Sequence, residues 1–265
     1  MFFVGSSDGA LYALDLESGL VRWEAEFDSA LRGGAASDGE AIYAAGEAGD
    51  VRAFGLDGRE FWREKISFST LTAETITARV FAVPTVIGDL IVVSYVRDDA
   101  YPVPAMMALD KYTGSIRWEA SDPDRVREQW GNLRSAPAVV GEQLVFGDPT
   151  FPGLAAVDVE DGKVMWTVEA GKHCVDQWAS PAVAGGRVVL PQADGGVYAF
   201  DPEQHALEWS VFLGIRPGDG GFPIGFEGMP CSTLDPIQAS PAVAPDGSIV
   251  VGTVEGDLIR IGEGF

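Results

Sequence analysis

One phrase, repeated along the chain, limits the folds open to it more than any other feature. Ala, Asp, Gly and Trp recur at relative positions one, three, seven and eleven: Ala13, Asp15, Gly19 and Trp23; Ala108, Asp110, Gly114 and Trp118; Ala156, Asp158, Gly162 and Trp166. A fourth copy, Ala199, Asp201 and Trp209, has His205 where the glycine is expected, and a fifth, from Ala53 to Trp62, is one residue short. A sixth starts at Gly256-Asp257-Leu258-Ile259-Arg260 and meets the last residue given before any Trp. Recurrence of this kind marks a repeat architecture, in which each unit buries its apolar face by stacking on the next.

The residue types read as a β-hairpin. Ala10-Leu11-Tyr12-Ala13-Leu14 alternates as a strand does, and Asp15 can hold the following backbone in an Asx turn. Gly19 supplies positive φ where the chain reverses, and Leu20-Val21-Arg22-Trp23 returns. The small Ala leaves room for a neighbour, and the Trp offers a broad flat face that can cover a turn or a junction between sheets.

A second phrase precedes each hairpin: Val83-Pro84-Thr85-Val86-Ile87, Ala136-Pro137-Ala138-Val139-Val140, Ser180-Pro181-Ala182-Val183-Ala184 and Ser240-Pro241-Ala242-Val243-Ala244. Ala35-Ala36-Ser37 is a weaker copy without the proline. Small residues with Pro at the start suit a short innermost strand, because that Pro removes no ladder donor. Each phrase runs through a Gly or Asp turn into an apolar strand such as Leu90-Ile91-Val92-Val93 or Ile249-Val250-Val251.

Four short antiparallel strands per repeat make a propeller blade. Successive Ala positions lie 40, 55, 48 and 43 residues apart, near the ~40–50 of propeller repeats. The expected fold is therefore all-β: one propeller domain over residues 1–265, of about six four-stranded antiparallel blades, incomplete at both ends. Three strands, four blades of four and three strands again give 22, where six closed blades need 24. The count fits an open ring, or a portion of a seven- or eight-bladed one, whose seam exposes strand edges to pairing with another segment or molecule.

The Ala-x-Asp-x-x-x-Gly-x-x-x-Trp phrase with its upstream Ser-Pro strand resembles the tryptophan-docking repeat of the PQQ-like family, which unites quinoprotein dehydrogenases with non-enzymatic, BamB-like relatives. The resemblance covers nearly the whole chain and speaks for fold more than function, because the shared residues hold blades together. Its enzymes use PQQ and calcium, have eight blades and a much longer chain, and carry an adjacent cysteine pair; Cys174 and Cys231 are far apart. The resemblance thus implies a non-catalytic binding or scaffold propeller without cofactor, acting on a protein, peptide or cell-envelope component outside the cytoplasm. A PQQ-dependent dehydrogenase and the sensor domain of a larger receptor or kinase are the alternatives.

Composition narrows the partners. Eighteen Lys plus Arg against forty Asp plus Glu give a formal charge of −22, which repels phosphate backbones and anionic headgroups, so nucleic acid is not an expected partner. Only four of the basic residues are Lys, a balance that fits either adaptation to high salt, where carboxylate repulsion is screened, or an ordinary acidic extracellular protein. No stretch is apolar enough for a membrane span, and Met1-Phe2-Phe3-Val4-Gly5 does not read as an export signal. Two cysteines with His173 and His205 do not make a four-ligand zinc site. A Cys174–Cys231 disulfide, contributing up to ~4 kcal/mol, and two separate thiols both remain open.

Binding residues are expected on the connections from an outer strand to the next inner one, near residues 67–80, 121–133, 171–177 and 214–237. Aligning the inner strands by their Pro puts Phe81, Arg134, Trp178 and Gln238 at equivalent positions around the mouth of the channel, with Trp130, Asn132, His173, Asp176, Gln177 and Asp235 nearby. Trp130 and Trp178 each follow a Gln and suit either recognition of a peptide, sugar or planar ligand or packing of the loops. Asp219, Glu227 and Asp235 lack calcium-loop spacing and read as solvated charges. No residue is assigned a catalytic or metal-binding role.

Overall fold

The computed structural model describes residues 1–69, 75–96, 106–120, 133–147, 152–171, 178–213 and 237–262. Among the described residues there are strands and turns and no helix. The chain divides into two compact units, Met1–Ala136 with Glu160–Lys163, and Pro137–Val159 with Val164–Phe265.

The first unit begins with a three-stranded antiparallel sheet, β1 (Phe2–Gly5), β2 (Ala10–Leu14) and β3 (Val21–Glu26). A four-stranded sheet follows, β4 (Ala35–Ser37), β5 (Ala41–Ala45), β6 (Asp50–Gly55) and β7 (Glu60–Lys65). Next comes a hairpin of β8 (Ser67–Ser69) and β9 (Thr75–Thr77), then a four-stranded sheet of β10 (Thr85–Ile87), β11 (Leu90–Ser94), β12 (Met106–Asp110) and β13 (Ile116–Glu119). The second unit holds the four-stranded sheets β14 (Ala138–Val140), β15 (Gln143–Gly147), β16 (Gly153–Asp158), β17 (Val164–Glu169) and β18 (Ala182–Ala184), β19 (Arg187–Pro191), β20 (Gly196–Asp201), β21 (Ala206–Phe212). It ends with three strands, β22 (Ala242–Val243), β23 (Ile249–Gly252) and β24 (Leu258–Ile261).

Every sheet is a meander in sequence order, so the expected pattern of three, four times four, and three strands is what forms. The β8–β9 hairpin is additional: it occupies a segment read from sequence as an irregular loop. Its strands are three residues each, too short for alternation to register as a pattern.

The repeated phrase has one structural meaning throughout. Ala13 pairs across the ladder with Trp23, Ala53 with Trp62, Ala108 with Trp118, Ala156 with Trp166 and Ala199 with Trp209, and a β-bulge follows immediately in all five hairpins. The bulge places one extra residue in the outer strand and bends it. Asp15 accepts from the backbone N–H groups of Glu17 and Ser18, Asp110 from Tyr112 and Thr113, and Asp201 from Glu203 and Gln204, the expected Asx turns. The bulged Arg22 and Arg117 reach back to Asp15 and Asp110 at 2.6 and 2.9 Å.

Trp23, Trp62 and Trp118 each also meet the turn of the following hairpin. A Cβ added at Gly58, Gly114 or Gly162 would stand 2.8, 2.6 or 2.5 Å from a ring atom of Trp23, Trp62 or Trp118, so only glycine lets these rings lie against the backbone. The Trp23 and Trp62 N–H groups donate to the carbonyls of Leu56 and Lys111 at 2.9 and 2.8 Å. Trp62, Trp118 and Trp166 are each 8% exposed. In area terms, burial of an indole contributes about 4–6 kcal/mol as an upper estimate.

Between the sheets lie apolar layers. Leu11, Phe27, Leu31, Ile42 and Phe54 fill one, and Tyr43, Val51, Trp62, Ile91, Tyr95 and Leu109 another, both in the first unit. In the second unit Val145, Leu154, Trp166, Leu190 and Phe200 form a layer, and Val189, Val197, Ile249, Val251 and Ile261 the next, with Trp209 partly buried against it.

Candidate functional site

In a meander blade the chain enters the inner strand at the same end where the second strand turns into the third. Residues of these two kinds of connection therefore meet. In the first unit they bring together Arg32 of the β3–β4 connection, Glu47 of the β5–β6 turn, Arg79 and Phe81 ahead of β10, and Arg134 near the end of the unit.

Glu47 is the hub. Its carboxylate accepts from Arg32 Nε at 2.6 Å and from Arg79 Nη2 at 2.5 Å. These hydrogen bonds, Arg79 foremost and then Arg32, hold its carboxyl below the usual carboxylate range. Backbone bonds fix the frame: Glu47 N–H donates to the Ala30 carbonyl at 2.7 Å, Val80 N–H to the Glu47 carbonyl at 3.0 Å, and Arg79 and Val96 exchange a pair at 2.9 and 2.8 Å.

Phe81 sits between two guanidinium groups, with Arg79 Cζ 4.9 Å and Arg134 Cζ 5.2 Å from its ring centroid. Both lie within cation–π range. A planar guanidinium on a ring face keeps its N–H edge for carboxylates.

The alignment that grouped Phe81 with Arg134 thus picks out side chains that touch. Trp178 and Gln238, their counterparts in the second unit, are both exposed, Trp178 at 39%. There the Ser180 N–H donates to Ser240 Oγ at 2.9 Å, tying the entries of two inner strands. Trp130, Asn132, His173, Asp176, Gln177 and Asp235 lie outside the described residues, as do Asp219, Glu227, Cys174 and Cys231.

Sequence reasoning missed Arg32, Glu47 and Arg79. Arg32 and Glu47 carry no local signal, since the pair joins positions 15 apart. Arg79 had one: it stands two residues before Phe81, so in extended chain both project to the same side. Arginine beside an aromatic ring at a loop end is the composition of protein-binding surfaces.

Comparison with known proteins extends the geometry. A family model described as outer membrane protein assembly factor BamB matches residues 7–151 and 107–220. The outer membrane protein assembly factor BamB of Bordetella pertussis (strain Tohama I) is 28% identical over 208 residues, 75% of this chain and 49% of that protein. The BamB of Burkholderia pseudomallei (strain K96243) is 21% identical over 226 residues, 82% of this chain and 54% of that protein. The chain therefore spans about half the length of the curated relatives it matches. Among solved structures, the WD40 β-propeller domain of Doa1 superposes with a TM-score of 0.66 at 11% identity, covering 99% of this chain and 75% of that one. That likeness shows a propeller fold and nothing about activity.

Proposed function

We propose, from the premise that this chain belongs to the family of outer membrane protein assembly factor BamB, with its PQQ-like propeller repeats, that it is a non-catalytic scaffold which binds a protein or peptide of the cell envelope, outside the cytoplasm. The loop end carrying Phe81 and its arginines is the binding surface. The observation that carries the reading is the arrangement of Arg79 and Arg134 on Phe81, with Arg32 and Arg79 on Glu47.

Several physical features support it. Three arginines converge on one place in a chain of formal charge −22, so this spot differs in character from its surroundings. Electrostatic contrast of this kind favours orientation and selection of a partner more than raw affinity. The surface is built on sheet ends locked by backbone hydrogen bonds, which lowers the ordering cost of binding. The reading assigns no cofactor and no catalytic residue, and the acidity of the chain argues against nucleic acid as partner.

Site-specific photocrosslinking tests the reading. A benzophenone side chain at position 81 is expected to capture one major protein in the source cells, while the same group at Gly39, at the opposite end of β5, captures none. Equal products from both positions, or no product from position 81, would overturn it.

A further inference from the structure

We propose that the cleft around His205, in the second unit, is a separate recognition site that takes an arginine side chain of a partner protein. The starting point is a departure from the repeat. Trp23, Trp62 and Trp118 each lie on a bare glycine, but Trp166 meets His205, whose ring stacks on the indole with centroids 4.8 Å apart and planes at 21°. His205 holds φ 51°, the left-handed conformation that glycine adopts freely and other residues seldom do. The Trp166 N–H donates to Gln143 Oε1 at 2.9 Å, where Trp23 and Trp62 use backbone carbonyls.

At this altered joint the surface opens. A cleft of about 710 Å³ is lined by Glu142 and Gln143 of the β14–β15 turn, Met165 of β17, Arg187 at the start of β19, and Asp201, Glu203 and His205 around the β20–β21 turn. Its size suits a side chain with flanking backbone. The lining holds three carboxylates and one guanidinium, and Arg187 is already engaged by Glu208, with Nη2 2.6 Å from Oε1. Asp201 is occupied by its own turn, which leaves Glu142 and Glu203 as the other carboxylates of the lining.

A guanidinium matches this set better than an ammonium does. It is flat and weakly hydrated, so it can lie on the imidazole of the stacked pair while its N–H edge reaches a carboxylate. The −22 charge of the chain adds long-range attraction for a basic segment.

The probe is N-acetyl-arginine amide, with N-acetyl-lysine amide as comparison. The chain has two histidines, so the His205 ring resonance is assigned by its loss in His205→Gly, a variant that restores the residue found at the other sockets. Arginine amide is expected to shift the His205 and Met165 methyl resonances saturably and more tightly than lysine amide. Glu203→Gln should weaken binding about fivefold, and His205→Gly, followed at Met165, should weaken it comparably. A shift that stays linear, is equal for lysine amide, or survives both substitutions means diffuse attraction to an acidic surface and overturns the proposal. Photocrosslinking at position 81 reports on a different surface, so the two readings fail independently.

Discussion

Gly114→Ala tests whether indole docking onto a turn holds neighbouring sheets together, and Gly19→Ala is its control. Both glycines stand at relative position seven of an exact copy of the phrase, both lie in the first unit, and their φ values are 75° and 69°. Forcing alanine into the left-handed region costs about 1–2 kcal/mol, of which about 0.4–1 is offset by the stiffer unfolded chain. That net cost, about 0–1.6 kcal/mol, is all Gly19→Ala should show, since nothing lies within 4 Å of the added methyl. At Gly114 the methyl would stand 2.6 Å from Trp62 Cε3. The ring is pinned by its hydrogen bond to Lys111 in the same turn, so it cannot slide aside without losing a partner. Overpacking adds about 1–3 kcal/mol, giving about 1–5 kcal/mol in total for Gly114→Ala. Urea unfolding followed by tryptophan fluorescence measures both variants within the transition of one unit, which avoids assuming that the whole chain unfolds in one step. Equal destabilisation by the two substitutions would refute the role given to docking.

Two further predictions concern charge. Arg52 is 4% exposed, bonds Asp50, donates to the Glu26 carbonyl at 2.8 Å and lies over the Phe27 ring; Arg52→Ala strands a buried carboxylate and should cost about 3–5 kcal/mol, most of it recovered in a Asp50→Ala/Arg52→Met double variant by thermal unfolding. Glu47 has a depressed carboxyl, so its contribution is complete above the unfolded value near ~4.3 and is lost as pH falls through the lower folded one. Glu47→Gln should lower stability at neutral pH by less than about 1 kcal/mol and flatten the acid limb of stability against pH, and an unchanged limb would contradict the bridge.

The repeat was legible because each of its residues performs a local task that sequence spacing records. Ala108 and Trp118 are ten apart because they are cross-strand partners around a turn, and Gly114 is glycine because Trp62 lies on it. What spacing cannot record is which side chains converge from separate turns. Phe81 and Arg134 could be grouped because their strands share a proline, whereas Glu47 lies in a turn whose ionic partners are 15 and 32 residues away. His205 was visible as a departure from the phrase, but its stacking on Trp166 depends on packing between sheets. The β8–β9 hairpin was missed for want of length, not for want of β-branched residues.

The bulge beside each Ala–Trp pair has one more implication. It turns a single outer-strand residue per hairpin, Arg22, Phe61, Arg117, Met165 and Glu208, out toward water, and all five are exposed. The chemical variety at these five places shows that the bulge itself does not call for one residue type, although Arg22 and Arg117 use theirs to bond the turn aspartates. Each is an addressable place at which a tag, a charge or an adhesive group could be displayed while the neighbouring indole keeps its seat.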